Sequence, residues 1–296
     1  MEQNNSHAKE KSIVLVGPIG VGKSIVAEEL AKQTGLPHIW ADTFRECPKD
    51  LKEIQSIVEL YKNRIENLEK QIAECSNDER KKNYLIELDE YKRYLWRENN
   101  FLEQRRLLPD LPNYFDFGFD PRVANYFKNM FGVGAWHMYH KQFENMLLEE
   151  IVKRIDFPCI LDLGGGMGAC PEKVYHETLQ NIESCKTKFL TKEKLNSYLN
   201  LDKIKFSIIE NSLKDFGMVV ELVNSGKTSS QKMQNEKELN DILSCSKDYD
   251  RLANYKVDTA KMFDKNCNLN EKVVKELASQ IVCEQKNLQG EERLQK

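Results

Sequence analysis

One stretch constrains this chain more than any other: SIVLVGPIGVGKSIVAEELAK, from Ser12 to Lys32. It opens on an apolar, β-branched run, Ile13 to Val16, which has the length of a buried strand. GPIGVGKS, Gly17 to Ser24, follows at once, and then a helical pattern carrying Ile25, Val26 and Leu30. The spacing G-x-x-x-x-G-K-[ST] between a strand and a helix is that of a phosphate-cradling loop. Gly17, Gly20 and Gly22 permit a backbone geometry and a close approach that a Cβ would block. The N–H groups so freed, together with the positive end of the next helix, face an anion. Lys23 can reach the β- and γ-phosphates of a nucleotide, and Ser24 can hold Mg²⁺. The predicted nucleotide-binding set is therefore Gly17, Pro18, Ile19, Gly20, Val21, Gly22, Lys23, Ser24 and Ile25. The plainer alternative is an ordinary glycine-rich turn, which would not need the lysine, the serine or the flanking strand and helix.

The rest of the composition fits a globular carrier for such a loop. The chain has 296 residues, 40% hydrophobic and 31% charged, enough for one large domain or a domain with an added segment. A net charge of -3 gives no support to a nucleic-acid-binding face. None of the eight cysteines forms a C-x-x-C pair, and Cys159 and Cys283 sit inside apolar runs, so they read as reduced packing residues. Residues 1–11 are polar and read as a disordered tail without a secretory signal. No apolar run approaches the ~20 residues that span a bilayer. The expectation is a cytoplasmic protein with no membrane and no nucleic-acid partner.

After the first helix, Gly35 supplies a stop and Leu36-Pro37 begins an extended piece. His38 to Ala41 reads as the second strand, with Asp42 at its carboxyl end. In an open α/β sheet that end faces the ligand crevice. Asp42 is thus placed to act on a substrate hydroxyl or on hydrated Mg²⁺, and its alternative role is a helix N-cap or turn acid.

From Lys49 to Leu107 the chain has no glycine and is dense in charge. Ile54, Val58, Tyr61, Ile65, Leu68, Ile72 and Cys75 alternate steps of four and three, the seam of one long helix. Ser76-Asn77-Asp78 makes a polar turn, and Leu85, Leu88, Tyr91, Leu95 and Leu102 stripe a second helix. The reading is an antiparallel helical hairpin, residues 49–111, inserted between a first core segment, 12–48, and a second, 112–284, with a charged tail at 285–296. It serves as a solvated spacer or partner-docking arm; a nucleic-acid arm is the alternative, and the mixed charge speaks against it.

Asn113 to His140 is rich in aromatic residues, which either line a cleft or pack the base of the hairpin. His137 and His140 lie three apart, but no cysteine nearby completes a zinc pattern. Tyr139 to Lys153 reads as an amphipathic helix.

The second informative stretch is FPCILDLGGGMGACPE, Phe157 to Glu172. An apolar strand ends in Asp162, and Gly164, Gly165, Gly166 and Gly168 follow. With Gly17, Gly20 and Gly22 these make seven of the chain's fourteen glycines, so bare backbone is needed at both loops. Asp162 is either a strand-end acid that holds Mg²⁺ through water or a buried acid bonded to loop N–H groups. Farther on, Asn181 to Phe216 reads as helical, Gly217 to Leu222 as a strand, and 224–238 as a flap. A helix at 239–253, a strand at Tyr255 to Thr259 and a closing helix from Leu269 to Val282 complete the pattern.

Taken in order, GPIGVGKS, LPHIWAD, HKQFE, LGGGMG, GMVVEL and YDRLANYKVDT resemble the shikimate kinase family, over most of the chain outside the hairpin and the polar stretch before Gly217. The resemblance implies a P-loop NTPase fold of three αβα layers with a parallel sheet, nucleoside-monophosphate-kinase-like, and a lid. It also implies transfer of the ATP γ-phosphate to a hydroxyl, with Lys23 and Ser24 serving ATP and Mg²⁺, Asp42 the hydroxyl, and Gly164 to Gly166 the substrate. The family's first aspartate falls on Trp40, its arginine in the F-R-x-x-E segment on Lys141, and a later one on or near Cys245. No arginine occurs between Arg154 and Arg251, so Lys227, Lys232 or Lys237 would have to stand in for the lid arginine. A lysine does not reproduce an arginine's fork, which predicts a different acceptor.

The expected chemistry is an ATP- and Mg²⁺-dependent phosphotransferase acting on a small hydroxylated metabolite. Lys23 and Asp42 are its catalytic residues, and Ser24 and Asp162 its metal side. Trp40, Asp42, Lys141, Gly164, Gly165 and Gly166 form the acceptor side. One alternative is a nucleotide-binding regulator or scaffold that presents the hairpin to a protein partner. Another is a shikimate kinase with a remodelled pocket.

Overall fold

The first strand, β1 (Ser12–Val16), lies at the middle of a five-stranded sheet. In this computed structural model, residues 11–45, 47–131, 133–165, 167, 206–225, 249, 251–264 and 268–294 are described. The other strands are β2 (His38–Trp40), β3 (Ile160–Asp162), β4 (Gly217–Val223) and β5 (Tyr255–Asp258). Their order across the sheet is β2-β3-β1-β4-β5, and every neighbouring pair is parallel. Parallel strands need crossover connections and cover on both faces, which is why β1 and β4 read as nearly unbroken apolar runs.

Register decides which side chains share a face. Ile13 pairs with Ile160 and Met218, and Leu15 with Asp162 and Val220. The two-residue period puts all of these on one face. There they meet Val26, Ala27 and Leu30 of α1 (Lys23–Thr34) and Val274, Leu277, Ala278 and Ile281 of α7 (Glu271–Leu294) in one core. Each such side chain contributes roughly 1.5–3 kcal/mol when fully buried. The helix α1 starts on Gly22, in the left-handed region at φ 92°, and ends on Gly35, whose N–H donates to Ala31 O at 2.8 Å. The strand β2 stops at Trp40, one residue short of the expected Ala41, and a 3-10 turn, Ala41–Arg45, carries Asp42. The last helix, α7, runs past Val282 to Leu294, so most of the expected charged tail is helical.

The chain divides into two compact units, Met1–Asp42 with Tyr114–Lys296, and Thr43–Asn113. The smaller unit holds α2 (Leu51–Glu74) and α3 (Asp78–Leu107). Asp50 caps α2 by accepting from Lys52 N at 2.8 Å, and Asn77 caps α3 by accepting from Arg80 N at 2.9 Å. Cys47, Ile54 and Val58 pack with Leu95, Phe101 and Leu102 at one end, and Tyr61 meets Tyr91 farther along at 5.7 Å between ring centroids. Arg105 is fully buried near the end of α3. Its guanidinium donates to Cys47 O, Pro48 O, Leu108 O and Leu111 O, and it sits 5.4 Å from the Phe44 ring centroid.

In the larger unit, α4 (Pro121–Phe131) and α5 (Val133–Arg154) follow Tyr114. The helix α4 has no counterpart in the sequence expectations, and α5 begins at Val133, ahead of the amphipathic stretch expected from Tyr139 to Lys153. Asp120 is the N-cap, accepting from Arg122 N at 2.8 Å, and Pro121 takes the first helical position, where its missing N–H costs nothing. Much of the aromatic run packs on itself. Phe127 stacks on Tyr139 at 5.5 Å, Phe119 meets Phe143 at 5.3 Å, and Tyr114, Phe127, Tyr139 and Phe143 are all buried. The helix α6 (Phe206–Phe216) leads directly into β4. No helix among the described residues is long and apolar enough to cross a membrane. Gly166, Gly168, Lys227, Lys232, Lys237, Cys245 and residues 1–10 lie outside the described residues, as do 181–205 and most of 226–250.

Candidate active site

The site is assembled at the carboxyl ends of β1, β2 and β3, where the glycine loop, the 3-10 turn and a second glycine loop emerge. Gly17 has φ 143°, and a Cβ there would overlap the carbonyl oxygen of Leu222 at the end of β4. The loop can pass that carbonyl only as bare backbone. No side chain caps the first turn of α1, so its leading N–H groups are turned toward the loop, an arrangement that suits an anion. Val21 is buried and Ile25 is partly buried against the core, so these residues anchor the loop while Ile19, at its tip, is exposed.

Lys23 folds back over the loop it follows. Its Nζ donates to Gly17 O at 2.9 Å and Pro18 O at 3.0 Å. Burial pushes the ammonium's pKa below the ordinary lysine value, and the carboxylates of Asp162 and Asp42 pull it partway back. The lysine thus faces both acids named from the sequence.

Ser24 Oγ donates to Asp162 Oδ2 at 2.7 Å. The pleat explains the meeting. Asp162 stands two residues beyond Ile160, on the same face of β3, and that face packs against α1. A buried carboxylate, 5% exposed, thereby acquires a hydroxyl donor. The same Oδ2 lies 3.6 Å from His38 Nε2, a neighbour that the sequence reading did not single out. His38 and Trp40 share one face of β2, opposite Ile160 and Asp162; the two-residue period predicts that shared face, and the register with β3 brings the imidazole to the carboxylate.

Asp42 is exposed on its turn, and its carboxylate lies directly over Gly164. Gly165 is crowded in the same way by the side chain of Ile19. The second glycine loop therefore touches both the turn that carries Asp42 and the tip of the first loop. Gly164 and Gly165 are small because neighbours occupy the space a side chain would need.

Trp40 is the register partner of Asp162, and its ring meets His38 edge-on at 4.9 Å. Lys141 is buried on α5, where its ammonium pairs with Glu144; the same carboxylate lies 3.3 Å from His140 Nδ1. Among the described residues, no three of His, Cys, Asp and Glu converge on a metal-binding point. Ser24 and Asp162 instead offer a hydroxyl and a carboxylate, hard oxygen donors of the kind that magnesium uses alongside water and phosphate.

No protein-family model matches the chain, and no curated protein matches it. Among solved structures, shikimate kinase from Acinetobacter baumannii in complex with shikimate is similar at 15% identity, over 92% of this chain and 90% of that one, with a TM-score of 0.38. A likeness of that size fixes neither activity nor ligand.

Proposed function

We propose that the chain is an ATP-dependent phosphotransferase, working with Mg²⁺ in the cytoplasm, that moves a γ-phosphoryl group to a hydroxyl of a small metabolite. The observation that carries this reading is the 2.7 Å bond from Ser24 to Asp162 beside the loop-bound Lys23. It sets a cation and hard oxygen donors at the start of an uncapped helix, the combination a triphosphate requires.

Each residue then has a task. The backbone from Gly17 to Ser24 and the N-terminal turn of α1 bind the phosphates, with Lys23 exchanging loop carbonyls for phosphate oxygens. Ser24 and Asp162 would hold a magnesium ion, which when bound offsets phosphate charge. Asp42 orients the acceptor and takes its hydroxyl proton. The acceptor oxygen bonds to the γ-phosphorus as the bond to the β–γ bridging oxygen breaks, and ADP leaves with the electron pair. Trp40 and Lys141, with Gly164, Gly165 and Gly166, shape the acceptor side.

Calorimetry with Mg·ATP tests binding, and ATP turnover against a panel of polyols and sugar acids tests transfer. Acceptor-stimulated release of ADP is the expected result. A folded protein that binds ATP but responds to no acceptor overturns the transfer step, and one that ignores Mg·ATP overturns the whole reading.

A further inference from the structure

We propose that His38 is a positioning residue for the carboxylate of Asp162; the inference rests on the phosphotransferase reading and deepens it at the metal side. Asp162 is almost wholly buried, and a buried carboxylate needs its lone pairs answered. Ser24 answers one from α1. A single hydroxyl contact leaves a carboxylate able to swivel about its last torsion. From β2, His38 Nε2 lies 3.6 Å from the same oxygen, a contact longer than a hydrogen bond. Oδ2 is thereby flanked by a hydroxyl on one element and an imidazole on another.

The imidazole is itself fixed. Its side chain is 12% exposed, and the Trp40 ring lies edge-on to it at 4.9 Å with 78° between planes. Its backbone is pinned where the sheet begins, because Ile160 N donates to Pro37 O at 2.9 Å immediately before His38. Trp40 is in register with Asp162, so the ring that packs on the imidazole and the carboxylate that neighbours it stand side by side on adjacent strands. The line Trp40, His38, Asp162, Ser24 crosses from β2 through β3 to α1 on rigid elements. A group that must hold a ligand within a few tenths of an ångström needs support of this kind. An apolar residue at position 38 would satisfy the packing and leave the carboxylate with one restraint fewer.

The test compares ATP dissociation constants, measured by calorimetry with Mg²⁺ and with chelator, in wild type, His38→Phe, His38→Gln and Asp162→Asn. The ratio of the two constants isolates the metal-dependent gain. His38→Phe keeps a ring for Trp40 and removes the nitrogen; it should cut that gain about tenfold while metal-free affinity stays unchanged. His38→Gln, which keeps a polar donor, should recover most of it. Electron paramagnetic resonance of the Mn²⁺-nucleotide complex should broaden in His38→Phe, a change that looser packing elsewhere would not produce. If Asp162→Asn removes the gain and His38→Phe leaves it intact, the positioning role is overturned and the metal-side reading stands. If Asp162→Asn also leaves the gain intact, the metal-side reading falls and takes the positioning role with it. Should His38→Phe not fold, His38→Leu replaces it under the same criteria.

Discussion

Asp42 and Gly164 occupy one space: a methyl group on the glycine would overlap the aspartate's carboxylate. The obstruction is a side-chain end rather than backbone, so Gly164→Ala should fold, with Asp42 swung aside. A displacement of about 1 Å at a reacting group can lower turnover roughly 100-fold. The expected outcome is a kcat lower by that order with ATP affinity little changed. Steady-state kinetics beside calorimetry checks it, and an equal loss in both quantities would count against Asp42 acting on the acceptor alone.

Lys23→Met keeps the buried stem and deletes the charge. Charge-assisted hydrogen bonds contribute about 1.5–3 kcal/mol each, so ATP affinity should fall at least about tenfold. The same variant has a pH signature. Burial depresses the lysine's pKa in the folded state, so the stability tied to its neutral form is present above the unfolded value of about 10.4 and is lost as pH falls through the folded value. The difference between wild-type and Lys23→Met urea midpoints should therefore move in favour of wild type as pH rises toward 10.

Arg105 binds four backbone carbonyls from inside the smaller unit. Lysine is a point charge and cannot replace that planar fork. Arg105→Lys should destabilise by about 2–4 kcal/mol through carbonyls left without donors. Amide exchange should accelerate in residues 43–50 and 105–111 before it does in the sheet. Unchanged protection there would remove the guanidinium's structural role.

Cys159 is buried, and burial raises its thiol to about 12. The folded value lies above the unfolded one, so the thiol's contribution is complete below about pH 8.5 and declines as pH rises toward the folded value, by at most about 1.4 kcal/mol per pH unit. The advantage of wild type over Cys159→Ala in urea should shrink between pH 8.5 and 10.5. Cys283, expected from its apolar run to be a packing residue, is instead exposed, so alkylation at neutral pH should label it well before Cys159.

Much of this arrangement is legible in the residues, and the gaps have physical reasons. The glycine loop announces itself because lysine, serine and three glycines are each required by one geometry. Asp162 could be placed at a strand end but not beside Ser24, since that meeting depends on a parallel register formed across 138 residues of chain. Gly164 and Gly165 read as bare backbone, yet the groups that crowd them, Asp42 and Ile19, come from distant segments. The Asp120-Pro121 pair is a local signal for α4 that the aromatic run around it obscured. Arg105 carries no signal at all: a basic residue at the end of a charged helix looks like any other until the carbonyls close around it.

That closure has a consequence for how the chain can change over time. Cys47 and Pro48 near the start of the smaller unit, and Leu108 and Leu111 near its finish, are fastened to one side chain. A loop whose two feet share a clasp can grow, shrink or be traded for another without tugging on the polypeptide that precedes and follows it. Insertions or deletions between Pro48 and Arg105 would thus leave the clasp in place, whereas a change at Arg105 itself would release both feet at once.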